Sequence, residues 1–338
     1  MTRLNRVSTP VLLLALLGLV QPLGSQDSKK HHHSNGEAAE LPAVLWRHPQ
    51  NIPAMNLFYG SGGRDHAPDP RGTYNFVKED SSGTSAKFDI QDANGVEWRV
   101  KLGAEPQSET ASTRLLWATG YFVDEDYYLA ELKVAGMQKL RRGQKFVTGD
   151  GVVRGARLER KDKRVRKIAI WDWYENRFTN TRELNGLRVM MALLNNWDLK
   201  DINNSIYVVD GEQHYAVTDL GATFGKTGDN ISRSKSNEKD YEKSKFVKKV
   251  TPTEVDLEMH SRPFILTVIN VGNYRRRTKM EKIAKHIPRA DAKWIGQLLN
   301  QLSLEQIRDC FRSAGYTSEE VEGYANAVNK RIAALNAL

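Results

Sequence analysis

The stretch Asn195-Asn196-Trp197-Asp198-Leu199-Lys200-Asp201-Ile202-Asn203 constrains this chain more than any other. It closes an apolar run at helical spacing, Leu184, Leu187, Met191 and Leu194, for which Thr181 is a cap. Two short β-rich runs follow, 206–209 and 215–218, joined by the tight-turn pair Asp210-Gly211. Asp219-Leu220-Gly221 comes directly after. The fold must therefore end a helix, turn through a polar loop, make a hairpin and deliver a second acid near the first. Asp198, Asn203 and Asp219 are residue types that hold a hard divalent cation through oxygen, and Lys200 is one that pairs with phosphate through its ammonium group. Singly, each is ordinary turn chemistry. The ordered set is what needs an explanation.

Upstream, regular structure is expected from Tyr74. Runs 74–77, 86–90 and 96–102 read as three antiparallel strands, separated by Asp80-Ser-Ser-Gly-Thr-Ser85 and by Asp92-Ala-Asn-Gly95 with its Asn-Gly pair. Val96, Trp98 and Val100 alternate, so the pattern alone puts Lys101 on the exposed face. Ser108 reads as the N-cap of a helix over 109–119, with Ala111, Leu115 and Ala118 on one side and Gly120 as its stop. Strand character resumes at 121–123 and 127–134.

Segment 139–167 holds twelve Lys/Arg against Asp150, Glu159 and Asp162, about the whole of the formal +9 charge. Its β-rich parts, 152–153 and 165–170, read as a strand pair. Such a surface suits an anionic partner. Few aromatics are interleaved and no nucleic-acid motif is present, which ranks nucleic acid low. After Phe224, the lysine-rich stretch to Lys249 reads as a loop without core, and residues 255–338 as mainly helical, most clearly at 294–302 and 318–335.

The 338 residues, 40% apolar and 27% charged, describe a globular chain. A single cysteine, Cys310, excludes an internal disulfide. At the start, Arg3 and Arg6 precede an apolar run over 11–20 and small residues near Ser25, the pattern of a cleaved signal peptide over 1–25. Ten apolar residues are too few to span a bilayer, so no transmembrane helix is expected after cleavage. The expected destination is a bacterial periplasm or the exterior. Residues 26–70 read as a flexible leader and an irregular wrap, with His31, His32 and His33 simply solvated. Gly60-Ser-Gly-Gly63 lacks both the Gly-Lys-Ser/Thr ending of a phosphate loop and a preceding strand, and reads as a turn.

In this order the parts resemble the protein-kinase-like superfamily over about 74–225: a glycine-bearing loop between two strands, a lysine on the third, a glutamate-bearing helix, Asp-Leu-Lys-x-x-Asn, then Asp-x-Gly. With Asn196-Trp197 before the acid, Leu220 after Asp219, one glycine in the first loop and no Ala-Pro-Glu signature, it is more similar to the atypical branches (HipA-like, phosphatidylinositol-kinase-like and secretory-pathway kinases). The resemblance implies an α+β, two-lobed fold, with a small antiparallel β-rich lobe with one helix over 71–136 and a mostly helical lobe over 137–338 that carries the basic insert. It also implies ATP with Mg2+ or Mn2+. Lys101 would meet the α/β-phosphates and pair with Glu109, while Ser82, Gly83 and Thr84 would cover the phosphates with backbone N–H groups. Asn203 and Asp219 would hold the metal, Asp198 would take the proton of an acceptor hydroxyl, and Lys200 would offset charge on the moving phosphoryl group. The acceptor, on a protein, lipid or small molecule, is unspecified. The alternatives are a non-catalytic kinase-like module that binds an acidic partner and an AMP transferase on the same fold.

Overall fold

Alternation at every second residue explains the first layer of the computed structural model, which describes residues 41–227, 232–259, 268 and 270–338. The expected signal peptide, the tract 26–40 and its three histidines lie outside the described residues. Strand β1 (Ala43–Val44) is followed by β2 (Thr73–Asp80), β3 (Ala86–Gln91) and β4 (Glu97–Leu102). Helix α1 (Pro106–Ala118) comes next, then β5 (Asp126–Ala135) and β6 (Val152–Arg160). Strands β2 to β6 close a barrel in the order β2-β3-β4-β6-β5, with β2 and β5 parallel. Phe88, Ile90, Trp98, Val100, Leu102 and Leu158 fill it, and the intervening residues of β4, Glu97, Arg99 and Lys101, face the other way.

The barrel corrects two expectations. Residues 121–123 form no strand, only an isolated bridge between Tyr121 and Trp46. Nor do the two β-rich pieces of the basic segment pair with each other. β6 enters the barrel between β4 and β5, whereas β7 (Arg166–Ala169) pairs with β8 (Asn204–Val209) in a different sheet. Residues 152–160 are therefore barrel wall, not an insert in the helical part. The physical reason is a register that lets Ala156 and Leu158 complete the apolar interior.

The second layer is a sheet in the order β1-β9-β8-β7, where β9 is Glu212–Val217. The chain from 41 onward anchors this sheet through β1, which pairs in parallel with β9, and buries Leu45, Ile52 and Leu57. Helix α2 (Arg182–Leu193) shares an apolar core with it, Leu187 and Met191 with Ile206 and Val217, and is started by Thr181, whose side chain accepts from Leu184 N. The supposed loop after Phe224 contains helix α3 (Glu238–Lys243), and its Tyr241 is fully buried against Phe224. A polar run thus carries one aromatic anchor that its composition conceals.

Strands β10 (Val247–Val250), β11 (Glu254–Leu257) and β12 (Ile287–Pro288) form a small sheet. Helices α4 (Val271–Lys282), α5 (Arg289–Leu299), α6 (Leu304–Arg312) and α7 (Ser318–Asn336) complete a mixed α+β structure with a β-rich N-terminal part and a helical C-terminal part. Both α6 and α7 open with capping boxes, Ser303 with Gln306 and Thr317 with Glu320. None of the helices among the described residues is long and apolar enough to cross a membrane.

Candidate active site

Three elements converge on Lys101. Its strand turns this side chain out of the barrel, and α1 covers that face, so the lysine is only 5% exposed instead of solvated. Nζ lies 2.8 Å from Glu105 Oε2, 2.9 Å from Glu109 Oε2 and 3.5 Å from Asp219 Oδ1. Burial opposes the charge on Lys101, but Glu109, Asp219 and Glu105 together outweigh it and raise its pKa. The lysine is a cation fixed among carboxylates. Buried Arg157, from β6, approaches Glu109 on its other side at 3.5 Å and also bonds Glu159.

Helix α1 begins earlier than expected. Pro106 is its first residue, a position where the missing N–H is no loss, and Ser108 is inside the helix. Its hydroxyl donates to the Gly221 carbonyl at 2.9 Å, tying α1 to the turn after Asp219. The early start leaves Glu105 at the helix entrance, where its carboxylate accepts from Ser85 Oγ at 3.0 Å and pairs with Lys235 as well as Lys101. Although burial works the other way, Lys101 and Lys235 hold the Glu105 carboxyl down at about 2.

The loop after α2 is built from its amides. Asn196, fully buried, accepts from Asp198 N at 3.1 Å and donates to the Asp219 carbonyl at 3.4 Å. Lys200 Nζ sits 2.7 Å from Asp198 Oδ1. A short 3-10 turn, Asp201–Asn203, lets Asn203 Nδ2 donate to the Asp198 carbonyl at 2.7 Å, which makes its amide oxygen the atom able to coordinate a cation. In the hairpin, Asn204 pairs with Val217 and Thr218 N donates to the Asn203 carbonyl at 2.9 Å. Asn203 and Asp219 are therefore held at the same open end of one ladder. Both offer the hard oxygens that magnesium and manganese take, and the Asp219 side chain is 38% exposed. Among the described residues no cluster of three or more His, Cys, Asp and Glu has metal-holding geometry. This donor set suits an ion that completes its shell with water and phosphate oxygens, not an all-protein cage.

The loop over 81–85 stands at the barrel rim. Ser82 N donates to Asp80 Oδ1, Gly83 adopts φ +64°, and Arg142 donates to the Gly83 and Ser82 carbonyls. Turning these carbonyls toward Arg142 leaves the loop joined to Lys101 only through Ser85 and Glu105 in the described contacts. Thr84 lines a recess of about 570 Å3 together with Ser85, Glu105, Arg142 and Lys235. A second cavity, of about 530 Å3, lies along 159–165 and the hairpin and includes Glu159, Lys161 and Tyr207. Arg157 connects it to Lys101 through Glu159 and Glu109.

Lys101 thus contacts both Glu109 and Asp219, and Asp198, Lys200 and Asn203 form a second group joined to Asp219 by Asn196. Ser82, Gly83 and Thr84 touch neither group directly in the described contacts. Sequence reasoning gave the pairing to Glu109 alone, although Pro106, at a first helical position, is itself a start signal that puts Glu105 at the helix entrance. It had no signal for Asn196, Lys235 or Arg157, whose partners come from distant elements.

No protein-family model matches the chain, and no curated protein matches it. Among solved structures it is similar to the proinflammatory kinase CtkA of Helicobacter pylori, at 12% identity over 79% of this chain and 95% of that one, with a TM-score of 0.44. It is also similar to the Golgi casein kinase, at 11% identity over 79% and 74% and a TM-score of 0.32. The same kinase with Mn/ADP bound matches at 11% identity over 80% and 76%, with a TM-score of 0.33. Likenesses of this size carry no argument by themselves.

Proposed function

We propose that the chain is a phosphotransferase of the protein-kinase-like kind, using ATP with Mg2+ or Mn2+ and passing a phosphoryl group to a hydroxyl. The observation that carries this reading is the meeting of Lys101, Glu109 and Asp219, which stand on a strand, a helix and the end of a hairpin 118 residues away from the lysine. A buried lysine fixed by a glutamate is a point charge for α/β-phosphates. Asn203 and Asp219 would hold the divalent cation, which supplies charge neutralisation at the β/γ-phosphates. Asp198, aimed by Asn196 and bracketed by Asn203, would orient the acceptor hydroxyl and receive its proton. Lys200, already paired to Asp198, would shift toward the transferring group and offset its charge. Gly83 permits close approach of the 81–85 backbone to phosphate.

The test uses the full chain. Mg-ATP should raise its melting temperature, and Asp219→Ala should remove most of that rise; no shift in the parent protein would sink nucleotide binding. With labelled ATP and a mixed pool of hydroxyl acceptors, Asp198→Ala should lower transfer by about 100-fold or more. Undiminished transfer in that variant would remove Asp198 from its role. Binding without any transfer would favour a non-catalytic module, and an adenylyl adduct by intact mass would favour AMP transfer.

A further inference from the structure

Part of the basic segment that the sequence singled out is already engaged by the protein's own carboxylates and carbonyls. Arg157 is buried among carboxylates, Lys161 lies 2.6 Å from Asp89, Arg164 lies 2.6 Å from Asp162, and Arg142 holds the 81–85 loop. Positive charge is less compensated beside Asp198. Trp197 donates its indole N–H to the Ser234 carbonyl at 2.9 Å, which brings Arg233 over the indole at 4.4 Å. Half-buried Arg233 feels Arg277 and Arg276 of α4 as well as Asp198; burial and the two arginines lower its pKa against the pull of the acid.

Helix α4 is fastened to the same loop. Lys279 lies 2.9 Å from Asp201 and 3.2 Å from Asp172, and Tyr174 donates to the Lys279 carbonyl. That uses up Lys279. Arg276 and Lys282 are exposed, and no carboxylate among the described residues lies in ion-pair distance of either. Beside them Tyr174, Tyr274, Arg275, Thr278, Lys279 and Lys282 line a shallow recess of about 480 Å3. Exposed Ile202 projects from the turn between Asp198 and Asn203.

We propose that Arg233 and Arg276 form a binding site for an acidic peptide segment whose hydroxyl is then presented to Asp198. Planar guanidinium groups bind carboxylates in bidentate fashion, and stacking on an indole fixes one such plane in advance. The half-buried Arg233 suits an inserted carboxylate better than a flat bilayer surface. Presentation of the hydroxyl rests on the phosphotransferase reading; binding of the acidic chain does not.

The experiment therefore needs no nucleotide. Fluorescein-labelled peptides of alternating Ser and Glu, and their Ser and Gln counterparts, are titrated with the full chain and followed by anisotropy. The acidic peptide should bind about tenfold more tightly or better, a difference of about 1.4 kcal/mol. The double variant R233Q/R276Q should lose that preference while keeping the parent's circular dichroism and melting curve; R233Q and R276Q singly should each lose part of it, and Arg154→Gln on the far barrel wall should change nothing. Equal affinity for the two peptides overturns the proposal, as does a preference that survives in a folded double variant. Binding to vesicles of equal phosphatidylserine and phosphatidylcholine that excess acidic peptide cannot displace overturns it in favour of a lipid surface. Selective peptide binding by a chain that shows no thermal shift with Mg-ATP supports the site and counts against the phosphotransferase reading alone.

Discussion

Glu105 ties three parts of the molecule through one carboxylate: the 81–85 loop at Ser85, the barrel at Lys101 and the segment after Asp219 at Lys235. Its pKa falls from 4.5 to about 2 in the folded protein. A carboxylate held below its unfolded value stabilises the fold fully above about pH 4.5, and that contribution is lost as the pH falls through about 2. With most of the side chain buried, it is about 3 kcal/mol at most. Glu105→Gln should therefore cost stability at neutral pH and flatten the loss between pH 4.5 and 2, measured as urea midpoints across that range. An acid limb as steep as the parent's would show that Glu105 does not control it. At this scale the sequence was informative about residue type and poor about partners. Lys101, Glu109 and Asp219 were legible because their order matched a pattern. Asn196 was not, because nothing local shows that its amide will bridge Asp198 N to the Asp219 carbonyl.

Elements were legible wherever the period was clear and the ends were marked. Helix α2 begins at Thr181 as its capping chemistry requires, with Thr181 Oγ1 accepting from Leu184 N at 3.2 Å. Thr181→Ala should cost about 1 kcal/mol in chemical denaturation, and Thr181→Ser should restore most of it. A neutral alanine variant would mean that packing alone sets this end. The 204–217 hairpin was equally readable from its turn, and its register places Asn203 next to Asp219. Two elements misled. Ser108 looks like a cap but is spent on Gly221, and the polar stretch after Phe224 hides α3 because one buried residue, Tyr241, anchors it. Single anchors leave no period to detect.

Across the whole molecule, the loop that carries Asp198 is supported from the C-terminal helix. Arg331 of α7 donates to the Leu193 carbonyl and Asn195 Oδ1, both at 2.9 Å, and to Ser244 Oγ at 2.7 Å, while its guanidinium stacks 4.0 Å from the Tyr241 ring centroid. It satisfies carbonyls left over at the end of α2. Arg331→Met should destabilise by about 3 kcal/mol, because several buried acceptors lose their donor at once; a change below about 1 kcal/mol would show that water or repacking replaces it. Arg331→Lys should recover only part, having no planar fork. By itself the sequence determined the strand and helix periods, the turn at 210–211, and the set of acids, amides and lysine that a phosphate and metal site requires, since those depend on neighbours a few residues away. Only the tertiary structure decided that β6 belongs in the barrel, that Lys101 is buried among three carboxylates, and that no carboxylate among the described residues lies in ion-pair distance of Arg233 or Arg276. Pairing, burial and electrostatic balance are set by residues as far apart as Gln306 and Ile52, 254 positions, whose side chain and carbonyl bond, and no local pattern records them.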